Sequence, residues 1–380
     1  MSEDAGGLGP GARFAMSVIH PGSPTMRVRY RDGVLVTPYG FPDWPLCARA
    51  VVELPPPEPA LTLEEQRVLD VLTANAAMSR IAGEPEGDPL WPVAGAGTVG
   101  GGRDGAVPTP AGWCWAHVGV PSGASASGAS AAGRAPEGPR QLALVPIELH
   151  GSYRHAGGVR LLPVHGRGLR LDGEPRSVAP GPGDEVPDDL IDLLERALGW
   201  PLPPAYRRFL TATNGAGPAA AAVLPPFGFV ADQPLFGIAR EDRHQDVSHV
   251  GEWVRDRLTV DFLPIGYVQG GLLAVKVSGD DLDSVWYLDD DDPRDREAYG
   301  PREVCANLLQ RCAASVDDLW ARLVRPPATL VEVADRWAGQ VTHVRDSMVG
   351  AGLPARMKAP WQPVTKGRGR DAVAGMFEVG

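Results

Sequence analysis

Apolar positions along this chain change period several times, and each change marks an element. Between Thr62 and Ser79, Val68, Leu69, Leu72 and Ala76 recur at helical spacing. Thr62 and Glu65 are placed as a capping box at the start of that helix. Short alternating runs predict strands at Met26–Tyr30, Arg49–Leu54, Trp113–Val118 and Gln141–Pro146. A short helix is expected over Glu148–Arg154, before Gly157-Gly158. Further on, Asp188–Leu198 reads as an amphipathic helix stopped by Gly199. The next helix has both ends written into it. Pro203-Pro204 opens it, Asn214-Gly215 closes it, and Tyr206, Phe209, Leu210 and Thr213 share one face. A meander of three strands is expected at 261–266, 272–277 and 285–288. Helices are then expected at 302–312, 315–324 and 330–348, the last needing a partner surface for Leu330, Val333, Trp337, Val341, Val344 and Met348.

Between these runs the pattern lapses. Residues 1–25 and 351–380 read as disordered tails, and 119–140, rich in Ser, Ala, Gly and Pro, reads as a low-complexity insert at a hairpin tip. Residues 166–186 read as a Gly/Pro-rich linker, with one strand at 169–171. The chain therefore divides into 26–165, 187–325 and a C-terminal helix over 326–350. Its 380 residues suffice for two domains with cores of their own.

The net charge of −11 argues against a protein that grips nucleic acid with its whole surface. No apolar run is long enough to span a membrane, and no charged n-region precedes an apolar stretch, so the expected location is the cytoplasm, with reduced thiols. Cys305 and Cys312, expected on one helix, lie too far apart for a disulfide.

Two sets of motifs resemble known families. Leu202-Pro203, Tyr206, Phe209-Leu210 and Asn214-Gly215 match the signature of the SUKH superfamily, the Smi/Knr-like fold of bacterial polymorphic-toxin immunity proteins and cell-wall regulators. The resemblance covers roughly Val186–Leu323. It implies an antiparallel sheet with packed helices and a protein-binding role, with a basic nuclease toxin as one kind of partner. Gly40-Phe41-Pro42-Asp43-Trp44, Thr109–His117, Leu142–His150 and His155-Ala156-Gly157-Gly158 resemble, in order and spacing, the WHH branch of HNH endonuclease toxins. That likeness implies a ββα-containing domain, and the whole chain is then α+β with two domains.

In the WHH family a hairpin and a following helix hold one divalent metal against the scissile phosphate, and a separate histidine activates water. The resemblance places the general base at His117 and two metal ligands at His150 and His155. It places Ala116 where the family has another ligand. Two readings follow. In the first, the three histidines are structural, no cofactor is bound, and a degenerate nuclease fold is fused to an immunity-type binding module. In the alternative, the chain is a metal-dependent nuclease acting on nucleic acid and restrained in cis.

Two charged clusters remain. Arg240–Asp246 lacks any nucleophile motif and reads as a solvated loop. Asp289, Asp290, Asp291 and Asp292 form an acidic ridge at a strand end, read as a solvated turn, as a docking surface for a basic protein or, third and without EF-hand spacing, as a divalent-cation site.

Overall fold

In the computed structural model, the described residues are 14–20, 23–31, 34–36, 41–46, 48–82, 91, 106–119, 140–151, 154–164, 166, 178–240, 242–292, 294–295 and 299–344. The expected tail at 351–380, the strand at 169–171 and nearly all of the insert at 119–140 lie outside them.

In chain order the N-terminal half contains β1 (Phe14–His20), β2 (Ser23–Arg31), β3 (Val34–Val36), β4 (Ala50–Leu54), α1 (Leu63–Ile81), β5 (Trp113–His117), β6 (Arg140–Pro146) and α2 (Ile147–Gly151). The C-terminal half contains α3 (Asp188–Leu198), α4 (Pro204–Thr213), β7 (Ala222–Val223), β8 (Val230–Ala231), α5 (Val247–Trp253), β9 (Phe262–Val268), β10 (Gly271–Lys276) and β11 (Val285–Asp289). It continues with α6 (Pro301–Asn307), β12 (Gln310–Ala313), α7 (Val316–Arg322), α8 (Ala328–Ala338) and β13 (Thr342–Val344). The molecule is α+β, and its sheets are antiparallel.

Helix α1 begins where the sequence places it. The Thr62 hydroxyl accepts from Glu65 N at 3.2 Å and the Glu65 carboxylate accepts from Thr62 N at 2.9 Å, so both halves of the capping box form. The helix is buried all round, polar residues included: Gln66, Arg67, Asp70, Thr73 and Asn75 are as inaccessible as Val68 and Leu69. Such a helix requires partners for its polar face.

The N-terminal half is built on a four-stranded sheet in the order β13-β4-β6-β5. Its outermost strand comes from the far end of the chain, with Thr342 opposite Glu53 and Val344 opposite Val51. Helix α8 lies over α1 and buries Leu330, Ala334 and Ala338. The helix expected at 330–348 thus stops at Ala338: Gly339 ends it, and the following Thr342–Val344 run, rich in β-branched residues, pairs with β4 instead. Pro327 stands at its N-cap.

The C-terminal half folds around a sheet of order β12-β11-β10-β9. Leu202, Tyr206, Phe209 and Leu210 are buried in its core, and the Phe209 ring lies 5.9 Å from that of Trp320 on α7. Asn214 ends α4 in the left-handed conformation at φ 45°, its amide N–H bonded to Leu210 O. Its side chain clips the Ile238 backbone on both sides, at 2.7 and 3.1 Å. Gly215, at φ 81°, sits so close to Leu235 O that a Cβ would lie 2.3 Å from it. This motif therefore fastens a helix end to a neighbouring loop.

Three other expectations differ. Residues 14–20, expected without regular structure, pair with β2 as a hairpin. The helix expected at 302–312 ends at Asn307, and Gln310–Ala313 extends the sheet beside β11; Cys305 and Cys312 are thus on different elements. Within the expected linker, Val178 N donates to Leu323 O and Gly181 N to Gly217 O, so its end packs on the C-terminal half.

Candidate functional site

Strand alternation sorts the residues of β5. Trp113 and Trp115 pack into the cluster around α1, whereas Cys114 and Ala116 join the core that contains Trp44, Ile147 and Leu149. His117 follows Trp115 towards α1, and its Nε2 lies 3.1 Å from Asp70 Oδ2. Asp70 is fully buried and also receives Arg140 at 2.7 Å and Gln66 at 2.6 Å. Pattern reading missed Asp70, although Gln66, Asp70 and Thr73 fall on one polar stripe of a helix expected to be core.

The next two histidines lie together. His150, at the end of α2, is stacked on Trp44 with centroids 5.0 Å apart. His155 meets Trp44 edge-on at 5.2 Å and His150 at 4.6 Å. His155 lies beyond the end of α2 at Gly151, and so is free of the helical spacing that would point it away from His150.

The C-terminal half closes over this region. Tyr267 Oη is 2.6 Å from His150 Nδ1 and donates to Asp290 Oδ2. Arg257, also buried, pairs with Asp290 at 3.2 Å and donates to Gly151 O. Burial alone would raise the Asp290 carboxyl, but the His150 hydrogen bond, the Arg257 charge and the Tyr267 hydroxyl outweigh it and hold it at about 2.

The ridge is not a solvated turn. Asp289, Asp290, Asp291 and Asp292 are all buried. Arg67 of α1 reaches Asp289 at 3.1 Å and Asp291 at 3.3 Å, and Arg160 reaches Asp289 at 2.7 Å. Asp292 is held by Arg294 at 2.6 Å. Burial and the neighbouring Asp291 charge nevertheless raise the Asp289 carboxyl, against the pull of Arg67 and Arg160. Within the described residues, Asp289 and Asp291 thus meet basic groups of the same chain.

A second row of contacts runs along β5 and its approach. Gln269 Oε1 accepts from Trp115 N at 2.9 Å, Gln233 Oε1 from Gly112 N at 3.0 Å, and Asp232 Oδ2 from Thr109 N at 2.9 Å. Side chains of the C-terminal half thereby satisfy the free edge of β5. The Arg240–Asp246 cluster is not solvated either: His244, Gln245 and Asp246 are buried. Asp246 caps α5 through Ser248 N, and the His244 ring stands against Gly112.

Where the halves meet, Arg67, Ala116, His117, His150, Gln269 and Asp291 enclose a cavity of about 10 Å³, about one water molecule's worth. The donor set around it does not fit a divalent ion. One position is Ala116, His117 Nε2 faces Asp70, His150 Nδ1 faces Tyr267, and a guanidinium forms part of the wall. Among the described residues no group of three or more His, Cys, Asp or Glu is arranged to hold a metal. No helix among them is long and apolar enough to cross a membrane.

Residues 185–310 match the model of the SMI1/KNR4 family (SUKH-1). Residues 105–164 match that of a nuclease of the HNH/ENDO VII superfamily with conserved WHH, where this chain reads Trp115-Ala116-His117. No curated protein matches the chain. SUKH domains are typically protein-binding modules, and the region that matches that family follows the WHH-type one in this chain.

Proposed function

We propose that this chain is an immunity-type binding protein whose SUKH domain engages the WHH-type half of the same chain, and that this half is not a working nuclease. The observation that carries the reading is the closure of Tyr267, Gln269, Asp290 and Asp291 over His117 and His150, leaving space for one water. A scissile phosphate and its metal need several times that room. Ala116 in place of an imidazole supports the same reading. The ridge, a candidate docking surface for a basic partner, has its basic groups supplied in cis by Arg67 and Arg160.

One observation favours the second reading, a nuclease restrained in cis. His117 is held by a buried carboxylate on one nitrogen, the arrangement that orients a general base.

The experiment is nicking of plasmid DNA and structured RNA by the full chain with Mg²⁺, Mn²⁺ or Ni²⁺, beside Asp290→Ala and Asp290→Ala/His117→Ala. No cleavage by any of the three supports the binding-protein reading. Cleavage by Asp290→Ala that disappears with His117→Ala establishes the restrained nuclease instead.

A further inference from the structure

We infer that residues 328–344 are a latch that makes the fold of the WHH-type half conditional on the SUKH domain having been made first. The inference holds whether or not that half can cleave anything.

Both ends of the latch are fixed. At its root, Val324 exchanges two backbone hydrogen bonds with Val223 of β7, 2.8 and 3.0 Å, so the SUKH domain determines where the arm departs. Pro326-Pro327 then separates α7 from α8, and the second proline serves as the N-cap of α8. At the far end, β13 supplies the outer strand of the sheet that carries β5 and β6.

Between them α8 finishes a core. Leu330 and Ala334 sit in one cluster with Val68, Leu69, Leu72, Trp115 and Leu144. Arg80 near the end of α1 donates to Asp335 O at 2.5 Å. The same cluster takes Ala221, Val223 and Val230 from the SUKH domain. The cluster that holds the SUKH sheet also takes Val51, Cys114, Ala116 and Val145 from the WHH-type half, but among the described residues it contains none of α8. Direct packing of α8 is therefore confined to the cluster around α1.

Chains emerge N-terminus first, and contacts of great sequence separation form late. The strands and helix of the WHH-type half precede the SUKH domain, but the strand and helix that finish its sheet and core follow it. By the time that half can close, the module that covers His117 and His150 is already complete.

The test is hydrogen–deuterium exchange on the full chain, native and during refolding, with Leu330→Ala and Leu330→Asp beside the unmodified protein. In Leu330→Ala, amides of β4, α1, β5 and β6 should exchange about tenfold faster or more, while those of β9, β10 and β11 keep their protection. In refolding of the unmodified chain, β9–β11 should become protected before β4 and β6. Leu330→Asp should give the larger version of the same asymmetry. Equal loss of protection in both halves, or unchanged protection of β4 and β6 in both variants, would overturn the inference. So would protection of β4 and β6 ahead of the SUKH strands.

Discussion

His150 Nδ1 and Asp290 Oδ2 stand 3.5 Å apart across the junction of the two halves, with the Tyr267 hydroxyl joining them. An ionised Asp290 can only accept, so the single phenolic proton goes to it. The Tyr267 oxygen must then accept from His150, which places a proton on Nδ1. Replacing Tyr267 by Phe removes both bonds and leaves two buried groups short of a partner. The expected loss is about 1–3 kcal/mol, read from the urea midpoint at unchanged slope.

Two carboxyls give the junction opposite pH responses. Asp290, held at about 2, contributes stability that is full above its unfolded value of about 4 and is lost as pH falls through about 2. Asp295 is pushed up to about 6, by burial first and then by Asp290 and Asp256, despite Arg257 and Arg154. Its contribution is full below its unfolded value of about 4 and is lost as pH rises through about 6. Denaturant titrations of Asp295→Asn against the unmodified chain should show the variant lacking that decline between pH 4 and 6. Parallel curves would refute the assignment.

Gly157 is packed so closely on the ridge that a Cβ would lie 2.0 Å from Asp291 Oδ1 and 2.3 Å from its Cβ. Gly157→Ala should therefore displace Asp291 from Arg67 and cost about 3 kcal/mol or more. Gly199→Ala, at φ 81° with nothing within 4 Å, meets only backbone strain and should cost about 1 kcal/mol. Paired thermal melts decide between them. A Gly157→Ala chain no less stable than Gly199→Ala would mean that the seam yields easily.

Ala116→His restores the paired imidazoles of the WHH pattern. A cavity of about 10 Å³ cannot accept a ring, so the variant should be destabilised by about 1–3 kcal/mol through overpacking. It should also gain no tight Zn²⁺ or Ni²⁺ binding in calorimetric titration. Stoichiometric binding by a stable variant would show that the closed site reopens readily.

Much of this could be read from local pattern. The capping box of α1 and both ends of α4 depend on residues close together in sequence, and β5 and β6 are consecutive strands that each alternate. What escaped pattern reading depends on distant partners. The charges of Asp289 and Asp291 look solvated until Arg67, on a helix of the other half, is brought against them. The run Val341–Val344 fits helical spacing equally well until β4 offers an edge to pair with. Trp44, His150 and His155 could be singled out by resemblance, but Tyr267 and Arg257, which hold His150 or its carboxylate partner, carry no local mark.

Strand β13 has one more consequence, for behaviour in concentrated solution. Strand β4 is short and almost wholly apolar, and β13 covers its outer row of amide and carbonyl groups. Proteolytic cutting at Pro326-Pro327, or displacement of α8, would bare that row beside freshly exposed Leu69 and Leu72. Uncovered edges of this composition recruit strands from neighbouring molecules. The arm that completes the sheet thus also exchanges a five-residue apolar edge for one of three residues, the shorter target for a neighbouring strand.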